Sequence, residues 1–376
     1  MFFCRSTESS GIRRNERFPS RAKRTIRWQY LAVMSLFLHA IVASAAPFES
    51  RGSLFDIGGY RLHLDCEGQG WPVVVLDSGL GGTSVEWQSV MRKVSSFTRI
   101  CVYDRAGYGF SDRSPLPRTS SWIADELRRL LQAAGETGPF VLVGHSYGGY
   151  NVQYFARHYP HLTGGLVLVD SSHPSQVERF RAPPYELNTV PSSPWGIVQF
   201  NDPPPPHKKL SPYAQAMARY LSSRWKSRRA LASEFLRFQD SARQVRESQP
   251  LKPMPVMVLT RGRRAFANDD RGTQLEQLWM KMQSELAQIS PWSTHILARE
   301  SGHHVHIEQP ELVAYAIATV TDLYRTEDEQ TGRLSYTGAS ERDSIDFGAA
   351  TWLRDSLVMD PHLVLTQHPA AVTSSP

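Results

Sequence analysis

Short runs of valine- and leucine-rich sequence alternate with helical sequence along most of this chain, and this alternation limits its fold more than any other feature. The strand-like runs are PVVVLDS, TRICVYD, FVLVGHS, GLVLVDS and MPVMVLT, which begin at residues 72, 98, 140, 165 and 254. Nearly continuous apolar runs are typical of strands covered on both faces. Between two of them, apolar residues at helical spacing precede Gly135: Ile123, Leu127, Leu130 and Leu131. The alternation predicts an α/β fold with a mostly parallel central sheet flanked by helices.

One earlier run, YRLHLDC from residue 60, has a different pattern. Its apolar and polar residues alternate, which predicts a half-exposed strand nearer the sheet edge. The polar members are Arg61, His63 and Asp65, and we expect them on the exposed face.

The regular alternation is interrupted once and stops before the end of the chain. Residues 175–250 supply a proline-rich link followed by basic, aromatic-bearing helical sequence, which predicts an inserted helical lid. Strand and helix resume afterwards, so we expect a core formed by residues 47–174 and 251–326. The sequence after residue 326 is mostly polar and aperiodic, which predicts a mostly disordered tail over residues 327–376.

Residues 1–46 have the pattern of an export leader. Residues 1–27 carry eight basic and two acidic residues, which accounts for the whole formal charge of +6. An uncharged stretch follows over residues 28–48 and contains ASAAP, so we favour a signal peptide cleaved near Ala45 or Ala46. The same stretch is long enough for a membrane anchor, and a buried core helix is a third alternative. The protein is therefore expected to be exported, periplasmic or secreted, or else anchored to the membrane.

The charge of the remaining chain does not point to a nucleic-acid partner. The other 349 residues hold 34 basic and 34 acidic residues, so the folded part gives no support for nucleic-acid binding. One helical stretch of the insertion is locally cationic through Arg224, Lys226, Arg228 and Arg229. Such a stretch is either a solvated face or a membrane-surface contact.

The stretch VLVGHSYGG, residues 141–149, places a serine on a predicted strand-to-helix turn. Gly144 and Gly148 flank Ser146 in the pattern G-x-S-x-G. Glycines at these positions let the two segments pass closely while the middle residue takes a strained φ. The hydroxyl then lies at a helix N-terminus, where free N–H groups can stabilise an oxyanion. This context favours a nucleophile over a glycine-rich turn without chemistry.

In this context the chain resembles the α/β-hydrolase superfamily, whose nucleophile occupies the centre of G-x-S-x-G. Four further stretches resemble family segments in the same order: VVVLDSGLGG, YDRAGYGFSD, GLVLVDSSHP and SGHHVHIEQPELV. They are similar to the loop after the third strand, the turn after the fourth, the sixth strand, and the glycine–histidine segment before the last helix. The resemblance covers roughly residues 55–324 and implies the α/β-hydrolase fold.

The resemblance also implies a catalytic set. Ser146 is the expected nucleophile and His303 the expected base, because a serine hydroxyl is a weak nucleophile until a neighbour accepts its proton. On sequence grounds His304 and His306 remain alternatives for the base.

The third member of the set is an aspartate. Asp170, at the end of LVLVD, is favoured, and the alternatives are Asp270 or Asp269 beyond the seventh strand. Those two lie further past Gly262 than the family's acid usually does.

The oxyanion donors implied by the resemblance are backbone groups. They are the N–H of Tyr147, which follows the nucleophile, and the N–H of Leu80 in the loop after the third strand. Asp104 and Arg105 have catalytic residue types, but in this family their turn is architectural. We therefore expect them to brace loops by hydrogen bonding and ion pairing.

The three cysteines suggest one covalent link. Cys4 would leave with the leader, and Cys66 and Cys101 remain as a candidate pair for an oxidising compartment. In the family's usual strand order the second and fourth strands are antiparallel neighbours, which brings these two cysteines together. The resemblance thus implies a disulfide closing a loop of about 35 residues, worth roughly 3 to 4 kcal/mol. Two buried free thiols are the alternative.

A serine at the turn favours acyl chemistry over relatives that use a carboxylate there, such as epoxide hydrolases and haloalkane dehalogenases. We expect a serine hydrolase that cleaves ester-like bonds of an apolar small-molecule substrate through an acyl-enzyme, as a carboxylesterase or lipase-like enzyme does. Alternatives within the fold are amidase, carbon–carbon bond hydrolase and acyltransferase, and a non-catalytic exported binding protein is the alternative from another class.

The sequence gives no pattern that requires a metal or an organic cofactor, and none that indicates an oligomeric state. The insertion carries aromatic residues that either line an apolar acyl site or form the insertion's own core. They are Trp195, Phe200, Tyr213, Tyr220, Trp225, Phe235 and Phe238.

Overall fold

The computed structural model describes residues 48–182, 205–331 and 365–367. The chain divides into two units, residues 1–49 and 50–376, and the helices and strands reported below belong to the second. The predicted export leader lies outside the described residues, as do Trp195 and Phe200 of the insertion.

Nine strands of the described residues form one sheet. They are Ser53–Asp56 (β1), Arg61–Glu67 (β2), Val73–Asp77 (β3), Ile100–Asp104 (β4), Phe140–His145 (β5), Thr163–Val169 (β6), Val256–Arg261 (β7), Ser293–Ala298 (β8) and Leu365–Gln367 (β9). The strand order is β1-β2-β4-β3-β5-β6-β7-β8-β9, in which β1, β2 and β9 pair antiparallel and the others pair parallel. Strands β3 to β7 are buried along their whole length, so the predicted mostly parallel, two-sided sheet is confirmed.

Ten α-helices are described. They are Gln88–Val94 (α1), Ser120–Ala133 (α2), Gly148–His158 (α3), Gln176–Arg181 (α4), Pro212–Ser223 (α5), Trp225–Leu236 (α6), Phe238–Glu247 (α7), Asp270–Leu286 (α8), Val305–Glu308 (α9) and Pro310–Thr331 (α10). Helices cover both faces of the sheet. Val74 and Leu76 of β3 pack with α1 and α10, whereas Val73 and Val75 pack with α2 and α3. This alternation places β3 and its neighbours between two layers of helices.

The edge strand β1 was not among the predicted strands, and it pairs with β2 at the sheet edge. His63, which we expected on the exposed face, is buried. Its Nδ1 atom lies 2.9 Å from Asp104 Oδ2, and its ring contacts Phe110. The expectation of exposure at His63 is therefore wrong, because the turn after β4 covers that side of the strand.

Helices α4 to α7 lie between β6 and β7, within the segment in which an insertion was predicted. At the C-terminal end, α10 continues to Thr331, and residues 365–367 pair with β8 as strand β9. These two parts of the segment predicted as a disordered tail therefore have secondary structure, and the rest of that segment lies outside the described residues. Among the described helices, none has both the length and the apolar character needed to cross a bilayer.

A disulfide links the second and fourth strands. Cys66 and Cys101 are register partners in the antiparallel pair β2–β4, and their sulfur atoms are bonded. The predicted disulfide is confirmed, and it joins two strands near the outer edge of the sheet.

Candidate active site

Ser146 occupies the turn between β5 and α3 in a backbone conformation that L-residues rarely adopt. Its φ is +52°, and its N–H donates to the carbonyl of Val169 at 3.1 Å. The flanking glycines allow this turn, because a Cβ on Gly144 would lie 2.7 Å from the carbonyl oxygen of Gly148. A Cβ on Gly148 would in turn collide with the carbonyl of Asp77. The strand and helix thus pass as closely as the sequence predicted, with the strain concentrated at the serine.

His303 and Asp170 are in direct contact. His303 Nδ1 lies 2.7 Å from Asp170 Oδ2, and both side chains are buried. The ring of His303 also packs against His145, which precedes Ser146, with 4.5 Å between ring centroids. His145 Nε2 lies 2.9 Å from the carbonyl oxygen of His303. The loop carrying His303 is therefore held against the turn that carries Ser146.

Burial and neighbouring charge keep His303 neutral. Burial lowers the pKa of His303 well below its usual range, and electrostatic interactions with His304, Arg261 and His306 lower it further. Burial raises the pKa of Asp170, while the Arg261 guanidinium beside it acts in the opposite direction. A neutral imidazole with Nδ1 fixed against a carboxylate leaves Nε2 as the proton acceptor.

Asp170 makes further contacts that sequence analysis did not find. Arg261 donates from Nη1 to Oδ2 at 3.1 Å, and Trp279 donates from Nε1 to Oδ1 at 3.0 Å. The same arginine pairs through Nη2 with Glu276 Oε2 at 3.1 Å and lies over the Trp279 ring. The sequence feature that could have indicated these contacts is an arginine at the end of a predicted buried strand, because a buried charge requires a partner of opposite charge.

The alternative acids lie elsewhere. Asp269 caps helix α8, where its Oδ1 accepts a hydrogen bond from the Gly272 N–H at 2.6 Å. Asp270 is the exposed first residue of the same helix. The structure thus brings Asp170 to His303, while the other two aspartates are placed as a helix cap and a helix-terminal charge.

The alternative histidines, His304 and His306, lie in a cluster of aromatic rings with His145. His306 is fully buried between Trp87 and His145, with centroid distances of 4.4 and 4.3 Å. His304 contacts His207 of the insertion at 5.3 Å. Burial lowers the pKa of His304 to about 4 and that of His306 to about 3. Of the three candidate bases, His303 is the one placed against Asp170.

The loop after β3 lies next to Ser146. A Cβ on Gly79 would come 3.2 Å from Ser146 Cβ and 2.8 Å from His145 Nδ1. Within the described residues, neither the Leu80 N–H nor the Tyr147 N–H donates a hydrogen bond to a protein acceptor. Among the described residues, no protein acceptor therefore competes with a substrate oxyanion for these two predicted donors.

Asp104 and Arg105 are both buried and both brace loops. Asp104 accepts hydrogen bonds from the backbone N–H of Ser84 at 2.8 Å and of Phe110 at 3.1 Å. Arg105 pairs with Asp77 and with Glu234 of α6, at 2.7 and 2.8 Å. This agrees with the expected bracing role, and it adds a contact to the inserted helices.

The described aromatic residues of the insertion have different environments. Phe238 packs on Tyr147 and Tyr150, with centroid distances of 5.6 and 5.3 Å, so it lies beside the serine turn. Tyr220 and Phe235 are partly buried. Tyr213 and Trp225 are 58% and 52% exposed, so they are not part of a closed core.

The cationic stretch of the insertion borders an open cleft of about 660 Å³. Arg224 and Lys226 line it together with Arg61 and Asp112. Arg229 lies over the ring of Trp225. Membrane-surface contact by this stretch stays a prediction.

One group of described residues has metal-ligand spacing, and it consists of Cys66, Cys101 and Glu136. The two cysteines are joined in the disulfide and have no thiolate to offer a metal.

The match to a family model decides the classification. A model described as the alpha/beta hydrolase family matches residues 73–316. The chain belongs to the alpha/beta hydrolase family. The match includes the serine turn, the loop after β3 and the segment that carries His303, and membership indicates a hydrolase.

Individual relatives of this alpha/beta hydrolase are distant. An AB hydrolase superfamily protein of Gibberella zeae is 27% identical over 286 residues, covering 68% of this chain and 87% of that protein. A protein of Hormonema carpetanum named as a probable transporter is 27% identical over 312 residues, covering 74% of this chain and 44% of that protein. A solved structure described as a putative lipase from Acinetobacter baumannii matches with a TM-score of 0.55 at 18% identity, covering 73% of this chain and 92% of that one. At this identity the likeness shows the fold alone.

Proposed function

We propose that this protein is a serine hydrolase that cleaves ester-like acyl bonds of apolar small molecules through an acyl-enzyme intermediate. The observation that carries the proposal is a buried histidine–aspartate pair, with 2.7 Å between His303 Nδ1 and Asp170 Oδ2. Its histidine packs against His145, the residue directly before a serine held at positive φ. This combination supplies a nucleophile, a base and a group that orients the base.

In the proposed reaction, the Ser146 hydroxyl attacks the substrate carbonyl while His303 Nε2 accepts its proton. Asp170 stabilises the imidazolium that forms, since its carboxylate contacts Nδ1. The backbone N–H groups of Tyr147 and Leu80 donate to the oxyanion of the tetrahedral intermediate. The intermediate collapses when His303 protonates the leaving alcohol. Water, activated by the same histidine, then hydrolyses the acyl-enzyme.

The residue at the turn selects this chemistry among hydrolases of the same fold. A serine forms an acyl-enzyme, whereas a carboxylate at that position would form an ester intermediate with an epoxide or a haloalkane. Leu80 and Phe238 are partly buried apolar residues packed beside the turn, and they support an apolar acyl group. A carboxylesterase or lipase-like activity follows from these features.

Covalent labelling with a fluorophosphonate tests the proposal directly. The full chain should label, and Ser146→Ala and His303→Ala should each abolish labelling, because the reagent reacts with an activated serine. Ser223→Ala, which removes a surface hydroxyl on α5, is the control and should label normally. A panel of p-nitrophenyl esters of increasing chain length then measures the preferred acyl group. A folded wild-type protein that never labels would overturn the proposal.

A further inference from the structure

A single buried arginine contacts both the loop after β3 and the inserted helices. Arg105 donates from Nη1 to Asp77 Oδ1 at 2.7 Å and to the Ser78 carbonyl at 2.6 Å. It donates from Nη2 to the Gly79 carbonyl at 2.8 Å, and its Nε and Nη2 atoms form two hydrogen bonds with Glu234 at 2.8 and 2.9 Å. The guanidinium is thus bound on one edge by the loop and on another by helix α6.

We infer that Arg105 is a positioning residue for the oxyanion site, and that Glu234 of the inserted helix α6 fixes it for this task. The inference rests on the proposed function, because it concerns the donor that would stabilise the tetrahedral intermediate. It assigns the insertion a part in the chemistry besides any role in covering the substrate.

The geometry of one peptide unit links Arg105 to the donor. The Gly79 carbonyl and the Leu80 N–H belong to the same planar peptide, in which the two groups point in opposite directions. Arg105 holds the carbonyl from the buried side, so the N–H is directed away from the arginine. A Cβ on Gly79 would lie 3.2 Å from Ser146 Cβ, which places this peptide beside the nucleophile. Fixing the carbonyl therefore fixes the direction in which the N–H donates.

The charge of Arg105 adds a second effect. A cation bound to a carbonyl polarises the peptide and makes its N–H a stronger donor. The Gly79 carbonyl also accepts a hydrogen bond from the Gly82 N–H at 3.1 Å, which holds the loop in a tight turn. The two donors together leave the peptide little freedom to rotate. Such preorganisation is what an oxyanion site requires.

Glu234 determines where the guanidinium lies. Its side chain is fully buried, and it accepts hydrogen bonds from Nε and Nη2 of Arg105 and from the Tyr108 hydroxyl. A bidentate arginine–carboxylate pair fixes the plane of the guanidinium as well as its position. Asp77 contacts Nη1 only, so Glu234 is the carboxylate that binds two nitrogen atoms of the guanidinium.

Two variants test the inference, and both keep a side chain of similar size. Glu234→Gln removes the carboxylate, and Arg105→Lys removes the fork that reaches the loop and α6 together. The affinity of a trifluoromethyl ketone, which forms an oxyanionic adduct with serine, should fall about 10- to 100-fold in each variant. The KM for a p-nitrophenyl ester should change less than about 3-fold, because the ground-state carbonyl does not yet carry the charge. Acylation by the fluorophosphonate should slow in parallel with the loss of inhibitor affinity.

Asp240→Asn is the matched control, since Asp240 is a carboxylate of the insertion that pairs with Arg237 and Arg243 at the surface. It should leave inhibitor affinity and KM unchanged. If either buried variant fails to fold, Tyr108→Phe removes one hydrogen bond from Glu234 and should weaken the inhibitor about 3-fold.

Unchanged inhibitor affinity in folded variants would overturn the inference, and so would KM and inhibitor affinity weakening by the same factor. Failure of the wild-type protein to label would instead overturn the proposed function, so the two outcomes are distinguishable.

Discussion

One carboxylate oxygen, Asp170 Oδ2, contacts both the imidazole of His303 at 2.7 Å and the guanidinium of Arg261 at 3.1 Å. The aspartate is therefore shared between a neutral ring and a permanent cation in a buried setting. Because Arg261 also pairs with Glu276 of α8, the position of the acid depends on an element remote in sequence from both Ser146 and His303.

Replacing Arg261 should move the pH dependence of acylation. His303 accepts a proton only when neutral, and the positive charge of Arg261 contributes to its lowered pKa. In Arg261→Gln the pKa of His303 should rise, so the loss of labelling on acidification should begin at a higher pH than in the wild type. The measurement is the fluorophosphonate labelling rate between pH 4 and 8. Arg263→Gln, which removes an exposed arginine paired with Glu308, is the control. An identical profile in Arg261→Gln would contradict the expectation.

Two of the three candidate acids, Asp170 and Asp269, should be distinguished by different measurements. Asp170→Asn should lower the acylation rate by about 10⁴-fold, because the histidine loses the carboxylate that orients it. Asp269→Ala should leave that rate unchanged and lower the free energy of unfolding by about 1 kcal/mol, because it removes a helix N-cap. Labelling kinetics and urea denaturation of the two variants measure both effects. Loss of labelling in Asp269→Ala would reverse the assignment.

His306 should make the fold sensitive to acid. Its pKa in the folded chain is about 3, below the unfolded value of about 6.5, so the unfolded chain binds more protons below pH 6.5. The contribution of this neutral histidine to stability is complete above pH 6.5 and is lost progressively as the pH falls toward 3. Between pH 6.5 and 5 the loss is about 2 kcal/mol.

His306→Phe keeps a ring between Trp87 and His145 but cannot titrate. Urea denaturation at pH 7.5 and pH 5.0 should show a smaller loss of unfolding free energy in this variant than in the wild type. Equal losses in the two proteins would show that His306 does not carry the effect.

Removing the disulfide should destabilise the fold without stopping the chemistry. The double variant Cys66→Ala/Cys101→Ala should lower the free energy of unfolding by roughly 3 to 4 kcal/mol, because the bond closes a loop of about 35 residues in the unfolded chain. Urea denaturation measures this change, and labelling by the fluorophosphonate should persist. Mass spectrometry after alkylation checks the bond itself. The two cysteines should take up alkyl groups only after reduction, and their uptake without reductant would contradict the structure.

The sequence by itself determined the parts of this protein that depend on local pattern. Apolar runs of strand length, separated by helical sequence, were sufficient for the buried parallel strands, because both faces of such strands must be covered. The serine turn was recognisable because only glycines allow strand and helix to pass so closely. The pairing of Cys66 with Cys101 followed from the family strand order.

Only the tertiary structure decided which charged groups meet. Asp170 and Asp269 both follow strands in the sequence, yet one contacts His303 and the other caps a helix. The sequence around Arg261 and Arg105 does not indicate which partners they have. In the fold, both are buried beside carboxylates, which come from α8 and α6 respectively. Burial makes such partners obligatory, but it does not specify which carboxylate supplies the partner. That choice depends on how elements distant in sequence pack, and local pattern carries no information about it.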